Sequence, residues 1–259
     1  MQLSVVEEYL DGIENPYTAN TFVSACRSFA RFVKFNYRPR SIEDRLYKED
    51  FYEAMHTLSF EELPEYTKSE AITVDELRAL LEVLEDEPLL YSATVLHFYT
   101  GARPSELARP YEVGKIDLDR PKPEPIVDFR KRIMSIPTAK SRKGRRMRII
   151  PIDGIQDHVR VWIENVDEIA NYAGGKGYEW YTKNIKAPAR KAGVRVTAKT
   201  ARKTFETEMT RRGIEEWERR YWLGHKWMVP DRYRDYTKLI DKLREDVVSR
   251  HYIFDVIGV

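Results

Sequence analysis

The chain predicts a mainly α protein with one small antiparallel β-sheet, divided into a small helical domain and a larger α-rich domain. Three observations carry this. Apolar residues recur at helical spacing at Phe22, Cys26, Phe29 and Val33, and again along Asp75–Leu84. Residues 115–152 break that period, with prolines at 121, 123 and 125 and two short apolar runs that each end in proline. Between the helical patterns, Leu63-Pro-Glu-Tyr-Thr-Lys-Ser69 has the composition of a linker.

Residues 1–66 read as the first domain. Pro16 opens its main helix, which sets an apolar face against a face carrying Arg27, Arg31 and Lys34. Residues 67–71 are the linker, and 72–259 form the second domain with a C-terminal tail. There, Thr73 and Glu76 make a capping-box pattern ahead of an amphipathic helix. Leu89–Tyr99 is a largely apolar helix that Gly101 ends. Pro104 suits the first turn of a following short helix, which leaves Arg103 at its entrance. Arg132–Pro137 and Arg146–Pro151 read as strands of an antiparallel hairpin, with Gly144 in the polar turn between them. Helical patterns resume at Asp157–Ala170 and after Pro188. Gly174-Gly-Lys-Gly177 reads as a turn, because it lacks the Gly-Lys-Ser/Thr of a nucleotide cradle.

Charge is unevenly placed. The 259 residues carry a net charge of only +2, but residues 1–70 sum to −5, 71–129 to −6 and 130–259 to +13. Lys183 to Lys203 holds eight basic residues and no acid. Such a segment suits a polyanionic partner, since each neutralised phosphate releases condensed counterions. Cys26 is the only cysteine, which excludes an intrachain disulfide framework and fits a reducing compartment. No apolar run approaches membrane-spanning length, and the acidic, amphipathic N-terminus resembles neither a signal nor a transit peptide. The expected location is the cytoplasm, in association with the nucleoid.

The residues that suggest chemistry are Arg103, Arg202 and a late tyrosine. Two guanidinium forks can hold the non-bridging oxygens of one phosphodiester, and a phenol can form an ester with phosphate. Each also has a plainer reading. An arginine at a helix entrance with Glu106 three residues on is equally a structural ion pair. Arg202 lies in a basic helix where a solvated or backbone-binding side chain is commonplace, and His225 after Gly224 can simply cap a helix. Phe205 and Met209 read as core.

At these positions the chain resembles the tyrosine recombinases, the phage-integrase family of site-specific DNA recombinases. The family's first box, Thr-Gly-x-Arg-x-x-Glu-Leu, is matched by Thr100, Gly101, Arg103, Glu106 and Leu107. Its second, His-x-x-Arg-His-Thr-Phe-x-Thr, corresponds to Lys199-Thr-Ala-Arg202-Lys203-Thr-Phe-Glu-Thr207. Leu223-Gly-His225 and Tyr236-Thr237 follow, and Lys140 upstream of Arg148-Ile-Ile-Pro151 fits the family's hairpin lysine. The similarity covers roughly residues 72–240.

The resemblance implies a two-domain architecture, a helical core-binding domain and an α-rich catalytic domain, closing on duplex DNA as a C-shaped clamp. It implies strand cleavage and rejoining through a 3′-phosphotyrosine, without metal, ATP or other cofactor. Arg103, Arg202, Lys199 and His225 would address the phosphate, and Glu106 would orient Arg103. Lys140, or alternatively Lys143, would protonate the leaving 5′-oxygen. Tyr236 is the expected nucleophile and Tyr233 the alternative. Arg27, Arg31, Lys34, Arg142, Lys143, Lys186, Arg190 and Lys203 would contact DNA. The chain departs from the family at Lys199 and Lys203, where histidines are usual; a lysine at the first position occurs in integrases of archaeal mobile elements. That leaves Lys199 either a neutral base or, preferably, an electrostatic clamp. The free protein is expected to be a monomer that forms a tetramer on DNA, with the tail after Tyr236 docking on a neighbouring protomer or completing its own core. The neighbour is the favoured reading. Two other functions remain open at this stage, a catalytically inactive DNA-binding protein on the same scaffold and a metal-dependent nuclease. No compact Asp/Glu/His cluster supports the nuclease.

Overall fold

The computed structural model describes residues 3–60, 71–122, 124–138, 147–225 and 235–258. The chain divides into two compact units, Met1–Lys68 and Ser69–Val259. Most of the linker, residues 67–70, lies outside the described residues.

The first unit is three helices, α1 (Leu3–Asp11), α2 (Pro16–Asn36) and α3 (Ile42–Thr57). Asn15 caps α2 by accepting from the amides of Tyr17 and Thr18, and Pro16 takes the first helical position, where no amide is needed. Ser41 caps α3 through the Asp44 amide. The buried stripe of α2 is Ala19, Val23, Cys26 and Ala30, closed by Val6, Met55 and Leu58. This corrects the expected stripe. Cys26 lies on it, but Phe29 is 54% exposed and Phe22 and Val33 are only half-buried. Alanines at 19 and 30 let α2 lie close against α3, which bulky rings on that line would prevent.

The second unit is built around one helix. After α4 (Val74–Val83), with its Thr73–Glu76 capping box in place, comes α5 (Pro88–Thr100), of whose 13 residues 10 are buried. A helix apolar on all sides belongs inside a core. α5 is followed by the single turn α6 (Pro104–Leu107) and a four-stranded sheet. The strands β1 (Glu112–Val113), β2 (Ile126–Asp128), β3 (Ile133–Pro137) and β4 (Met147–Pro151) lie in sequence order. β3 and β4 form the expected antiparallel pair, with Ile133 opposite Pro151 and Pro137 opposite Met147. Residues 139–146 of their connection, Gly144 among them, lie outside the described residues. The sheet is mixed rather than purely antiparallel, because β1 pairs with β2 in parallel. The proline-rich segment is the crossover that returns the chain in the same direction. Asp128 fixes it by accepting from the Ile116 amide at 3.0 Å, and Lys131 Nζ donates to the Ile116 carbonyl at 2.8 Å.

The remaining helices are α7 (Gln156–Ala170), the turn α8 (Tyr172–Gly175), α9 (Gly177–Asn184), α10 (Lys186–Lys191), α11 (Thr200–Arg211), α12 (Glu216–Trp222) and α13 (Tyr236–Leu243). α7 and α11 pack against α5. α13 runs into a π-helical turn, Arg244–Val248, and α14 (Phe254–Ile257) closes the described chain. Gly174 and Gly175 form the turn after α7, as expected. No described helix is long and apolar enough to cross a membrane.

In the single chain the C-terminal tail, through Ile253, packs on its own domain, the alternative to docking on a neighbour. Tyr252 and Ile253 are fully buried in the core of the same unit. The Tyr252 hydroxyl donates to the Phe98 carbonyl at 2.5 Å, and His251 stacks on Tyr99 at 4.4 Å with its Nε2 3.0 Å from the Tyr99 carbonyl. Burial drives the His251 pKa down to about 3, so the ring is neutral and donates that bond. Asp255 pairs with Arg212. Ile253 is consumed in cis, and Phe254, Val256 and Ile257, half-buried, pack against the same core.

Candidate active site

The site is assembled where α5, α11 and α12 end or begin. α5 stops at Gly101, whose φ of +56° places it in the left-handed region. A Cβ there would lie 2.5 Å from the Leu223 side chain, so only glycine lets the two segments meet. Arg103 follows as the N-cap of α6, with Pro104 at the first helical position. Its backbone amide and its Nη1 both donate to Glu106, at 3.1 and 2.8 Å.

Glu106 is fully buried and takes a second cation. Arg148 Nη2, from β4, reaches its Oε2 at 3.0 Å. A buried carboxylate between two guanidinium groups is compensated, whereas an unpaired one would be very costly there. Arg148 is only 1% exposed, and its Nε and Nη1 have no hydrogen-bond partner among the described residues. The sequence reading used Arg148 only as a strand marker. The signal that distinguishes it is a single charge inside the run Met147–Pro151, a strand buried almost throughout.

Arg202 lies on the first turn of α11 and is half-buried. Its Nη1 donates to the Gly101 carbonyl at 3.2 Å and its Nη2 to the Leu223 carbonyl at 2.6 Å. The planar fork thus ties the Arg103 loop to the end of α12. Burial, then the neighbouring charges of Arg103 and Arg148, bring its pKa down to about 10, still well above neutrality. Three guanidinium groups crowded around one carboxylate leave a surplus of positive charge for an anion to neutralise.

His225 joins them through the end of α12. The Gly224 amide donates to Tyr221 and the His225 amide to Arg220, the paired bonds of a helix-ending motif that needs a left-handed residue. Gly224 supplies it, with φ +67°. Burial and the Arg202 charge hold the His225 pKa below the usual histidine value, so it is neutral near pH 7 and can donate one hydrogen bond.

Other expected residues fall elsewhere. Lys199 is the exposed N-cap of α11. Tyr236 is the first residue of α13, capped by Asp235 through the Thr237 amide at 2.8 Å. Its phenol is half-buried, and burial raises its pKa. The structure brings Arg103, Glu106, Arg202 and His225 together. Lys140, Arg142, Lys143 and Tyr233 lie outside the described residues.

Of the expected DNA contacts, Arg27 is a correction. Its Nη2 donates to the Leu58 carbonyl at 2.5 Å and the group covers the Phe60 ring at 4.4 Å, so it secures the end of α3. Arg31 and Lys34 are exposed, with Lys34 Nζ 3.6 Å above the Tyr52 ring. Lys186 and Arg190 line a shallow cleft of about 460 Å3 together with Arg195, and Lys203 is exposed. In the acid-free segment Lys183–Lys203, every basic residue except Arg202 is exposed.

Among the described residues, no group of three or more His, Cys, Asp or Glu side chains is arranged to hold a metal ion. No protein-family model matches the chain, and no curated protein does. Among solved structures, the chain is similar to XerA recombinase at 17% identity, over 92% of this chain and 86% of that one, with a TM-score of 0.43, too low to bear on the fold. It is also similar to the integrase from mycobacterium phage Brujita, at 17% identity over 96% of this chain and 78% of that one, with a TM-score of 0.50. At that identity the likeness establishes architecture, and the architecture is that of a phage integrase.

Proposed function

We propose that this chain is a site-specific DNA recombinase that cleaves and rejoins duplex DNA through a covalent 3′-phosphotyrosine. The observation that carries the reading is the convergence of Arg103, Arg202 and His225 on one cationic, half-buried spot, in a chain with an integrase fold. Planar donors fixed by carboxylate and carbonyl contacts need no reorganisation when charge gathers on phosphoryl oxygens. Exposed Lys186, Arg190 and Lys203, with Arg31 and Lys34 of the first unit, contact the DNA backbone.

In this mechanism the Tyr236 oxygen attacks phosphorus and gives up its phenolic proton to solvent, the P–O5′ bond breaks, and the 5′-oxygen leaves as a hydroxyl. Lys140 or Lys143 gives the leaving oxygen its proton. Lys199 serves as a cationic clamp. The tyrosyl ester retains the energy of the phosphodiester, so a 5′-hydroxyl from a second strand reverses the step without ATP. Burial holds the phenol protonated in the free protein. Four protomers assemble on two duplexes from free monomers, in the nucleoid of the cytoplasm.

The test uses a pool of nicked duplexes with randomised sequence. Cleavage near the nick releases a short fragment and traps a denaturant-resistant protein–DNA adduct, whose DNA is then sequenced. The expected result is an adduct mapped to Tyr236 by peptide mass spectrometry and abolished by Y236F. An adduct that survives Y236F and is lost in Y233F transfers the role to Tyr233. DNA binding with no adduct from the wild-type chain would replace this reading with that of a non-catalytic DNA-binding protein.

A further inference from the structure

Arg148 is a charged group where none is expected. It is 1% exposed, on a strand buried almost throughout, and two of its three nitrogens have no hydrogen-bond partner among the described residues. Leaving buried donors of a cation unmet is costly, so the group is retained for something other than stability. Its ion pair among the described residues is with Glu106, the same carboxylate that holds Arg103. Its surroundings are shaped to admit it. A Cβ on Gly224 would lie 2.6 Å from Arg148 Nη1, so the glycine that turns the chain toward His225 also leaves room for the guanidinium. The strand is fastened there too, since the Tyr221 hydroxyl both donates to the Ile149 carbonyl and accepts from its amide, at 2.8 and 2.9 Å.

We propose that Arg148 is a positioning residue for Arg103, acting through Glu106. Glu106 Oε2 accepts from both the Arg103 amide and Arg148 Nη2, so Arg148 helps fix the carboxylate in the orientation that presents Oε1 to the Arg103 guanidinium. A one-to-one Arg103–Glu106 pair would be neutral. With Arg148 present the triad carries a net positive charge, and the Arg103 guanidinium meets Glu106 through Nη1 at 2.8 Å. Nη2 and Nε are left to face an incoming phosphate. The kinetic consequence rests on the strand-transfer reading above; the positioning itself does not.

The experiment separates the two. In protein labelled with 15N-arginine, the Nε–Hε resonance of Arg103, identified by its loss in R103K, is expected to move in R148M and in E106Q, and to stay in the surface control K186A. On the trapped substrate, R148M should bind DNA within about threefold of wild type but cleave on the order of 100-fold more slowly, the usual effect of disturbing a transition-state donor. The double variant R148M/E106Q should be no slower than its slower single parent, because both changes act through one carboxylate. Damage to the fold would instead accumulate. An unmoved Arg103 resonance in R148M overturns the proposal, whether or not the wild-type chain cleaves DNA. So does a wild-type cleavage rate in R148M alongside a dead R103A. If R148M fails to fold, R148K, which keeps the charge but not the planar reach, is judged by the same two readings.

Discussion

Glu218 and Asp246 are neighbouring carboxyls, each acting electrostatically on the other. Glu218 is 1% exposed on α12, the helix that leads to His225; Asp246 sits in the π-turn that continues α13, the helix headed by Tyr236. Burial, then the neighbouring Asp246, lifts the Glu218 pKa to about 7. Against its own burial, Asp246 is held low by Lys242 at 2.6 Å and by Arg250 at 2.9 Å. Glu218 therefore carries a proton.

This sets a direction for stability with pH. The folded state keeps a proton that the unfolded chain releases near the ordinary glutamate value, so stability falls as pH rises between about 4.5 and 7. Glu218→Gln removes the titration and keeps the side chain's size. It should stabilise the protein by about 1–2 kcal/mol at pH 8 and by little at pH 4.5. Urea unfolding at both values checks it, and an equal gain at both would refute the raised Glu218 pKa.

The tail gives a prediction that discriminates cis from trans docking. Ile253 is fully buried in its own unit. Ile253→Ala should cost roughly 2–5 kcal/mol, with a midpoint that does not depend on protein concentration. A tail docked on a neighbour predicts no loss in dilute monomer.

The helical domain, the β3–β4 hairpin and the Arg103 entrance were legible because each has a local cause: a helical period, paired short runs, a proline at a first turn. The legible site residues were those whose side chains sit beside diagnostic glycines, Gly101 and Gly224. Arg148 was illegible because its neighbours Arg145 and Arg146 make it look like one more member of a basic loop. Its burial comes from the strand pairing and from Gly224, which lies 76 positions away along the sequence. The α2 stripe was misread by weighting rings over alanines, since size signals apolarity but smallness governs how close two helices pack. The tail was left open for a related reason. A terminal apolar segment has the same composition whether it covers its own core or another's, and the hydrogen bonds of His251 and Tyr252 to α5 favour its own.

Arg202 separates shape from charge most sharply. Its two terminal nitrogens reach carbonyls on two different segments, Gly101 at 3.2 Å and Leu223 at 2.6 Å, and those segments carry Arg103 and His225. Lysine at this position keeps the positive charge but replaces the fixed planar fork, with one nitrogen on each carbonyl, by a single nitrogen on a flexible stem. Arg202→Lys should therefore leave DNA affinity within about threefold of wild type and preserve the steep fall of binding with salt. Cleavage should drop by about 100-fold or more, because both the direct donors and the alignment of Arg103 with His225 are lost. Single-turnover cleavage and equilibrium binding, measured on the same trapped substrate, distinguish the effects. Were R202K to cleave at the wild-type rate, charge alone would suffice, and the fixed planar fork would have no part in the chemistry.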